Sequence, residues 1–248
     1  MRAVSFWMDG QETHPPPFKF TTMPTIKSES FSCARIPLAL MSDDVGRAAA
    51  YVKSANPLFL GLYNEPDIPP GAPWKPTPAE QVGSDIKKAL DAIAAAPGRT
   101  HFLHPGLFEN DPGRNDAWYK KFTSTCPDCP TRLPIISLHI YEGDAQKTVQ
   151  IVNSVVQRYP GHKIWITELS PRNNVVGCKH TVPTIVEWMK VVLRELNKIE
   201  AVEKIFWNNG EWGEMGECNV SLTGPDGQPT ELLRQLGDEK LCDEPAAS

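Results

Sequence analysis

Short apolar runs recur along the chain at Ala3–Met8, Phe18–Met23, Ala34–Leu40, Leu58–Tyr63, Thr100–His104, Ile135–Ile140, Lys163–Thr167 and Lys204–Trp207, and each reads as a strand. From Leu58 onward, helical patterns separate them. Thr77-Pro78-Ala79-Glu80 is a capping box with proline at the first helical position, and Val82, Ile86, Leu90 and Ile93 continue it as one apolar stripe. Val149, Val152 and Val156 form a second stripe that stops at Tyr159-Pro160-Gly161, and Ile185, Trp188, Met189, Val192, Leu193 and Leu196 form a third. Strands alternating with helices predict βα units around a parallel sheet. The first third departs from this pattern, because Gln11–Pro17 and Pro24–Cys33 carry proline and serine without a helical period. A parallel crossover needs a dozen or more residues and usually a helix. The expected fold is therefore α/β, a TIM-like (β/α)8 barrel abridged in its first third, unless the first strand assignments fail.

The length of 248 residues matches the roughly 250 of such a barrel. With no internal repeat or linker-like stretch, residues 1–248 read as a single catalytic domain ending in a short polar tail after Cys242.

Strand parity locates the candidate chemistry, because side chains alternate faces and a barrel strand points one set inward. In Leu58–Glu65 the leucines 58, 60 and 62 share the face that suits covering helices, which leaves Phe59, Gly61, Tyr63 and Glu65 on the other. Glu65 then lies inward at the carboxyl end of its strand, where barrel enzymes assemble their sites. By the same test Ser137, His139 and Tyr141 point inward, as do Ile164, Ile166 and Glu168, while Ile205 and Trp207 share a face at the same rim. Two carboxylates across a cleft suit glycoside hydrolysis, one giving a proton to the leaving oxygen and the other stabilising or attacking the oxocarbenium-like centre.

Leu60-Gly61-Leu62-Tyr63-Asn64-Glu65-Pro66-Asp67 resembles the strand 4 Asn-Glu-Pro motif of clan A glycoside hydrolases, and Ile164-Trp165-Ile166-Thr167-Glu168-Leu169 resembles their strand 7 nucleophile segment. With Ser137-Leu138-His139-Ile140-Tyr141 and Lys204-Ile205-Phe206-Trp207, the set is similar to glycoside hydrolase family 128, whose members act on β-1,3-glucans. The resemblance runs from about Leu58 to Trp207. It implies a retaining hydrolase with Glu65 as acid/base and Glu168 as nucleophile. It further implies that Asn64 bonds the sugar 2-hydroxyl, that His139 and Tyr141 orient the carboxylates, and that Trp207 forms the sugar platform. The implied partner is a β-1,3-glucan oligosaccharide or polysaccharide. The shortened first third leaves open a second reading, a β-1,3-glucan-binding protein on the same fold.

Other aromatic residues extend the candidate groove, since flat rings pack on the apolar faces of sugars. Trp7 closes a strand, Trp74 lies in the proline-rich loop after Glu65, and Tyr63 shares the parity of Glu65, so these three join the candidate binding residues; Trp118, Tyr119 and Trp212 are further possibilities. Trp188 falls in a helical stripe and reads as core, as does Trp165 beneath a helix.

Composition narrows the partners. A formal charge of −5 without a long Lys/Arg run argues against nucleic acid or anionic lipid, and no apolar stretch reaches the 18 or more residues of a membrane span. No His/carboxylate set at ligand spacing calls for a metal or other cofactor. Six cysteines permit three disulfides, with at least two expected in an extracellular or cell-wall protein; reduced buried thiols are the alternative. Cys126-Pro127-Asp128-Cys129 lacks the second pair that a zinc signature needs, and Asn219-Val220-Ser221 is a glycosylation sequon that requires exposure. A monomer is expected.

Overall fold

The computed structural model describes residues 4–7, 38–39, 42–69, 76–94, 100–109, 112–171, 180–208, 220–222, 224 and 228–238. In chain order the elements are β1 (Val4–Trp7), β2 (Leu38–Ala39), α1 (Ser42–Ala55), β3 (Phe59–Leu62), α2 (Ala79–Ala94), β4 (His101–Phe102), β5 (Leu107–Phe108), α3 (Pro112–Thr125), α4 (Cys129–Arg132), β6 (Ile135–Tyr141), α5 (Ala145–Arg158), β7 (Lys163–Ser170), α6 (Val182–Leu196), β8 (Val202–Asn208) and α7 (Glu231–Asp238). The expected strand at Phe18–Met23 lies outside the described residues, as do the two segments Gln11–Pro17 and Pro24–Cys33. No described helix is long and apolar enough to cross a membrane.

The chain forms two compact units, one comprising Gly10–Met23 and Ala34–His139, the other Met1–Asp9, Pro24–Cys33 and Ile140–Ser248. Strands pair in parallel in both, as alternating β and α elements require. Among the described residues the strands do not close into a ring of eight, so the structure defines a mixed α/β fold with parallel sheets and no closed barrel.

In the unit holding Ala34–His139, β3 lies between β2 and β4. Phe59 pairs with His101 and Leu60 with Phe102, and the order continues through a bridge from Leu103 to Ile135. Leu107 and Phe108 of β5 pair with Leu138 and His139 of β6. Two of the three leucines do what parity predicts, Leu60 and Leu62 being buried among Val45 and Val52 of α1, Val82 and Ile86 of α2, and Phe122 of α3, while Leu58, just before β3, is 55% exposed. Burying each such side chain stabilises the fold by roughly 1.5–3 kcal/mol. Gly83 lets α2 approach α3 closely, since a Cβ there would stand 3.0 Å from the Phe122 carbonyl. A disulfide between buried Cys126 and Cys129 joins the end of α3 to the start of α4, so these two cysteines are staple rather than zinc ligands. Cys33, Cys178, Cys218 and Cys242 lie outside the described residues.

Helix α1 was not legible as a periodic pattern, because its buried face is Val45, Ala48 and Val52, an alanine-diluted stripe with little apolar contrast. Helix α3 was missed for a related reason: its buried positions include Asn115 beside Phe122.

In the other unit β8 lies between β1 and β7. The register shifts between Ile166 and Leu169 of β7, an irregularity next to Glu168 of the kind that re-aims side chains beside functional sites. Helix α5 starts at Asp144, whose carboxylate accepts from the amides of Gln146 and Lys147, and α6 starts on a capping box between Thr181 and Thr184. Trp165 and Trp188 are buried as expected. Within the sequon, Val220 and Ser221 are buried, and their carbonyls accept from Trp207 and Thr230. Asn219 lies outside the described residues.

Candidate active site

Glu65 follows β3 on a backbone that ordinary strands do not adopt. Tyr63 has φ of 65° and Glu65 a φ of 41°, both in the left-handed region that costs non-glycine residues about 1–3 kcal/mol each. Two backbone hydrogen bonds fix this bend, Gly106 N–H to Tyr63 O at 3.0 Å and Glu65 N–H to Gly106 O at 2.8 Å. The bend turns the Glu65 carboxylate, 4% exposed, toward β6, where His139 Nδ1 stands 2.9 Å from Oε1. The imidazole serves either protonation state of its neighbour: Nδ1–H donates to the carboxylate, or an Nδ1 lone pair accepts from the acid.

Gly106 makes room for that imidazole. A Cβ on it would lie 2.7 Å from His139 Nε2 and 3.0 Å from Cε1, so only glycine allows β5's approach and the observed ring position together. Asn64 is half-buried, and its Oδ1 is enclosed with no hydrogen-bond partner among the described residues.

The same bend corrects the reading of Tyr63. Strict alternation placed its ring beside Glu65, but the left-handed turn breaks alternation and sends the ring into the helix-facing core, where its hydroxyl donates to Asp85 of α2 at 2.6 Å. Tyr63 anchors the strand to a helix and presents no face to a ligand.

Sequence reasoning missed the residues behind Glu65. Asp67, 3% exposed, accepts from the Phe108 amide at 2.9 Å and from Asn115 Nδ2, with Arg114 Nη2 at 3.9 Å. Arg114 and Asn115 also donate to the Phe108 carbonyl, each at 3.1 Å. Burial pushes the Asp67 carboxyl up to about 6, against the lowering effect of the Phe108 amide and Arg114, and nearby Glu109 raises it further. Glu109 itself is buried after β5, its amide donating to the His139 carbonyl at 3.1 Å.

In the second unit, Glu168 sits near the end of β7, 4% exposed, and the Tyr141 hydroxyl of β6 donates to its Oε2. A phenol donating to a carboxylate fixes its orientation. His139 in one unit and Tyr141 in the other thus each hold one of the sequence-identified glutamates.

The remaining aromatic candidates divide. Trp207 was expected to offer a sugar-facing platform; it is fully buried, its Nε1–H donating to Val220 O at 2.9 Å and its ring meeting Trp188 edge-on at 6.2 Å between centroids. The inward parity with Ile205 holds no open face. Trp118 stacks on Phe122 at 5.6 Å within the core of its unit, beside Tyr119. Burial raises the Tyr119 phenol to about 12. Trp7 is described only as backbone, paired with Asn208, while Trp74 and Trp212 lie outside the described residues.

Buried glutamates at the carboxyl ends of parallel strands, each bonded by a side chain of another strand, are characteristic equipment of sugar-cleaving α/β enzymes. Residues 17–236 match the family described as "Glycosyl hydrolase catalytic core", and the chain belongs to that family. Its fold is also that of family 128 structures. An endo-β-1,3-glucanase of subgroup II from Sorangium cellulosum superposes with a TM-score of 0.64 at 21% identity, covering 86% of this chain and 81% of that one. A curdlan-specific exo-β-1,3-glucanase of subgroup III from Blastomyces gilchristii, solved with glucose, gives 0.60 at 19% identity over 81% and 79%. A subgroup VII oligosaccharide-binding protein from Cryptococcus neoformans gives 0.62 at 16% identity over 82% and 78%. No curated protein matches the sequence.

Proposed function

We propose that the chain is a retaining β-1,3-glucanase, a single catalytic domain in which Glu65 is the acid/base and Glu168 the nucleophile. The observation that carries the reading is that each glutamate has an orienting contact within its own unit, His139 to Glu65 and Tyr141 to Glu168. In the first step the Glu168 carboxylate attacks the anomeric carbon while protonated Glu65 gives its proton to the departing glycosidic oxygen. In the second, Glu65 takes a proton from water, the resulting oxygen attacks the anomeric carbon, and the bond to Glu168 breaks. Tyr141 suits the nucleophile, because its hydroxyl aims the carboxylate. Asn64, with its unused Oδ1, is assigned to the sugar 2-hydroxyl, and Trp7 and Trp74 to stacking along the glucan.

The β-1,3-linkage follows from the motif resemblance and from the activities of the fold neighbours from Sorangium cellulosum and Blastomyces gilchristii. The Cryptococcus neoformans neighbour favours a second reading, oligosaccharide binding without turnover. A single experiment separates the two: wild type and Glu168→Gln are given laminari-oligosaccharides, with hydrolysis and affinity measured together. The hydrolase reading expects turnover in the wild type, lost at least about 1,000-fold in the variant while affinity is retained, since the substitution removes charge without volume. Binding without turnover in the wild type establishes the second reading.

A further inference from the structure

Asp67 is a buried carboxylate that the two-glutamate mechanism does not use, yet its contacts close on the peptide that carries Glu65. It follows Glu65 by one proline in Glu65-Pro66-Asp67, and its two oxygens reach different elements: Oδ1 the Phe108 amide at the end of β5, Oδ2 the Asn115 side chain in α3. Asn115 is fully buried and Nδ2 donates again to the Phe108 carbonyl, so both polar groups of the Phe108 peptide are held by this cluster. The turn between is tied in turn, Ile68 N–H to Glu65 O at 3.1 Å and Thr77 N–H to Pro66 O at 2.9 Å.

This cluster lies directly beside the left-handed residues Tyr63 and Glu65. Strained dihedrals persist only where surrounding bonds over-determine them. On the near side that constraint is the Gly106 backbone, which bonds both Tyr63 and Glu65; on the far side it is the Asp67 latch. Phe108 pairs with His139 across β5 and β6, so the latch also links the Glu65 backbone to the strand that supplies its imidazole partner.

We propose that Asp67, with Asn115 and the Phe108 peptide, is a positioning residue that holds the Glu65 carboxylate against His139 and so sets its competence as the acid. The inference rests on the assignment of Glu65 as acid/base. Asp67→Asn retains volume, but whichever way the amide turns, an N–H faces the Phe108 N–H or the Asn115 N–H.

The test compares wild type, Asp67→Asn and Asn115→Ala, all as full chains, on two substrates. One is laminarihexaose, whose leaving oxygen needs a proton; the other is an aryl β-laminaribioside with a dinitrophenolate leaving group, which needs none. Asp67→Asn is expected to lower kcat on laminarihexaose about 10- to 100-fold with KM within about 3-fold, because a displaced acid loses near-attack geometry. The pre-steady-state burst on the aryl substrate is expected to stay near wild type, and Asn115→Ala to show the same selective loss. Equal losses on both substrates, no loss, or a loss in Asp67→Asn that Asn115→Ala does not share overturns the proposal. Should Asp67→Asn fail to fold, Asn115→Ala carries the same substrate comparison. The His139 imidazole nitrogen resonances are recorded on every variant, so that a wild type without turnover defeats the hydrolase reading alone. In that case a changed His139 Nδ1 signal in both Asp67→Asn and Asn115→Ala supports the latch, and an unchanged signal in either overturns it.

Discussion

Replacing Gly106 with alanine places a methyl carbon 2.7 Å from Nε2, 3.0 Å from Cε1 and 3.4 Å from Cδ2 of His139. Relief to an ordinary contact near 3.4 Å requires about 0.7 Å of movement by the ring or by β5. Neither moves without consequence, since the ring's other nitrogen is bonded to Glu65 and the Gly106 amide and carbonyl hold the bend from Tyr63 to Glu65. Overpacking of this kind costs about 1–3 kcal/mol of stability, offset in part by about 0.4–1 kcal/mol from a stiffer unfolded chain. The larger effect falls on function. Displacing an acid by a sizeable fraction of an ångström loses roughly 10- to 100-fold in kcat with little change in KM, because binding subsites are left in place. Steady-state kinetics on laminarihexaose, with a thermal melt on the same preparation, give both numbers. Wild-type kcat in a folded Gly106→Ala protein refutes the claim that His139 position governs Glu65.

Two further outcomes follow from burial. The Asp67 carboxyl titrates near 6 in the fold and near 3.8 when unfolded, so the native state binds the extra proton between those values and stability falls as pH rises through that window, by up to roughly 3 kcal/mol. Urea unfolding of wild type and Asp67→Asn at pH 4 and pH 7 isolates this contribution: the wild type loses more stability between the two than the variant, and equal losses contradict the burial argument. Trp207→Ala is expected to cost on the order of 3–5 kcal/mol, as a large enclosed ring should. A variant with wild-type stability and weakened glucan affinity would instead return Trp207 to the sugar platform.

The parts of this molecule that were legible in the sequence are those where parity and local pattern act without interruption. Leu60 and Leu62 of β3 went to the helices, the stripes of α2, α5 and α6 formed helices, and His139 stands beside Glu65 and Tyr141 beside Glu168, each pair within its own unit. Alternation failed at Tyr63, where the turn to a left-handed backbone reverses the side chain's direction; the Asn-Glu-Pro sequence carries no period that announces it. Parity also says which face a side chain takes but not what covers that face, so the enclosure of Trp207 by Trp188 and its bond to Val220 were invisible. The Asp67–Asn115 contact joins residues 48 apart in sequence through a helix too weakly apolar to be read, and only the assembled unit brings them together. The β5 strand was missed because two residues carry no alternation at all.

The central claim, double displacement at Glu168 assisted by Glu65, is tested most directly by the configuration of the first product. Laminarihexaose is mixed with wild-type protein and the anomeric proton signals are followed by NMR before mutarotation equilibrates them. Retention through a glycosyl-enzyme predicts that the β-anomer of the newly formed reducing end appears first and the α-anomer only later. Initial appearance of the α-anomer, or a hexasaccharide that is bound and never cleaved, contradicts the account.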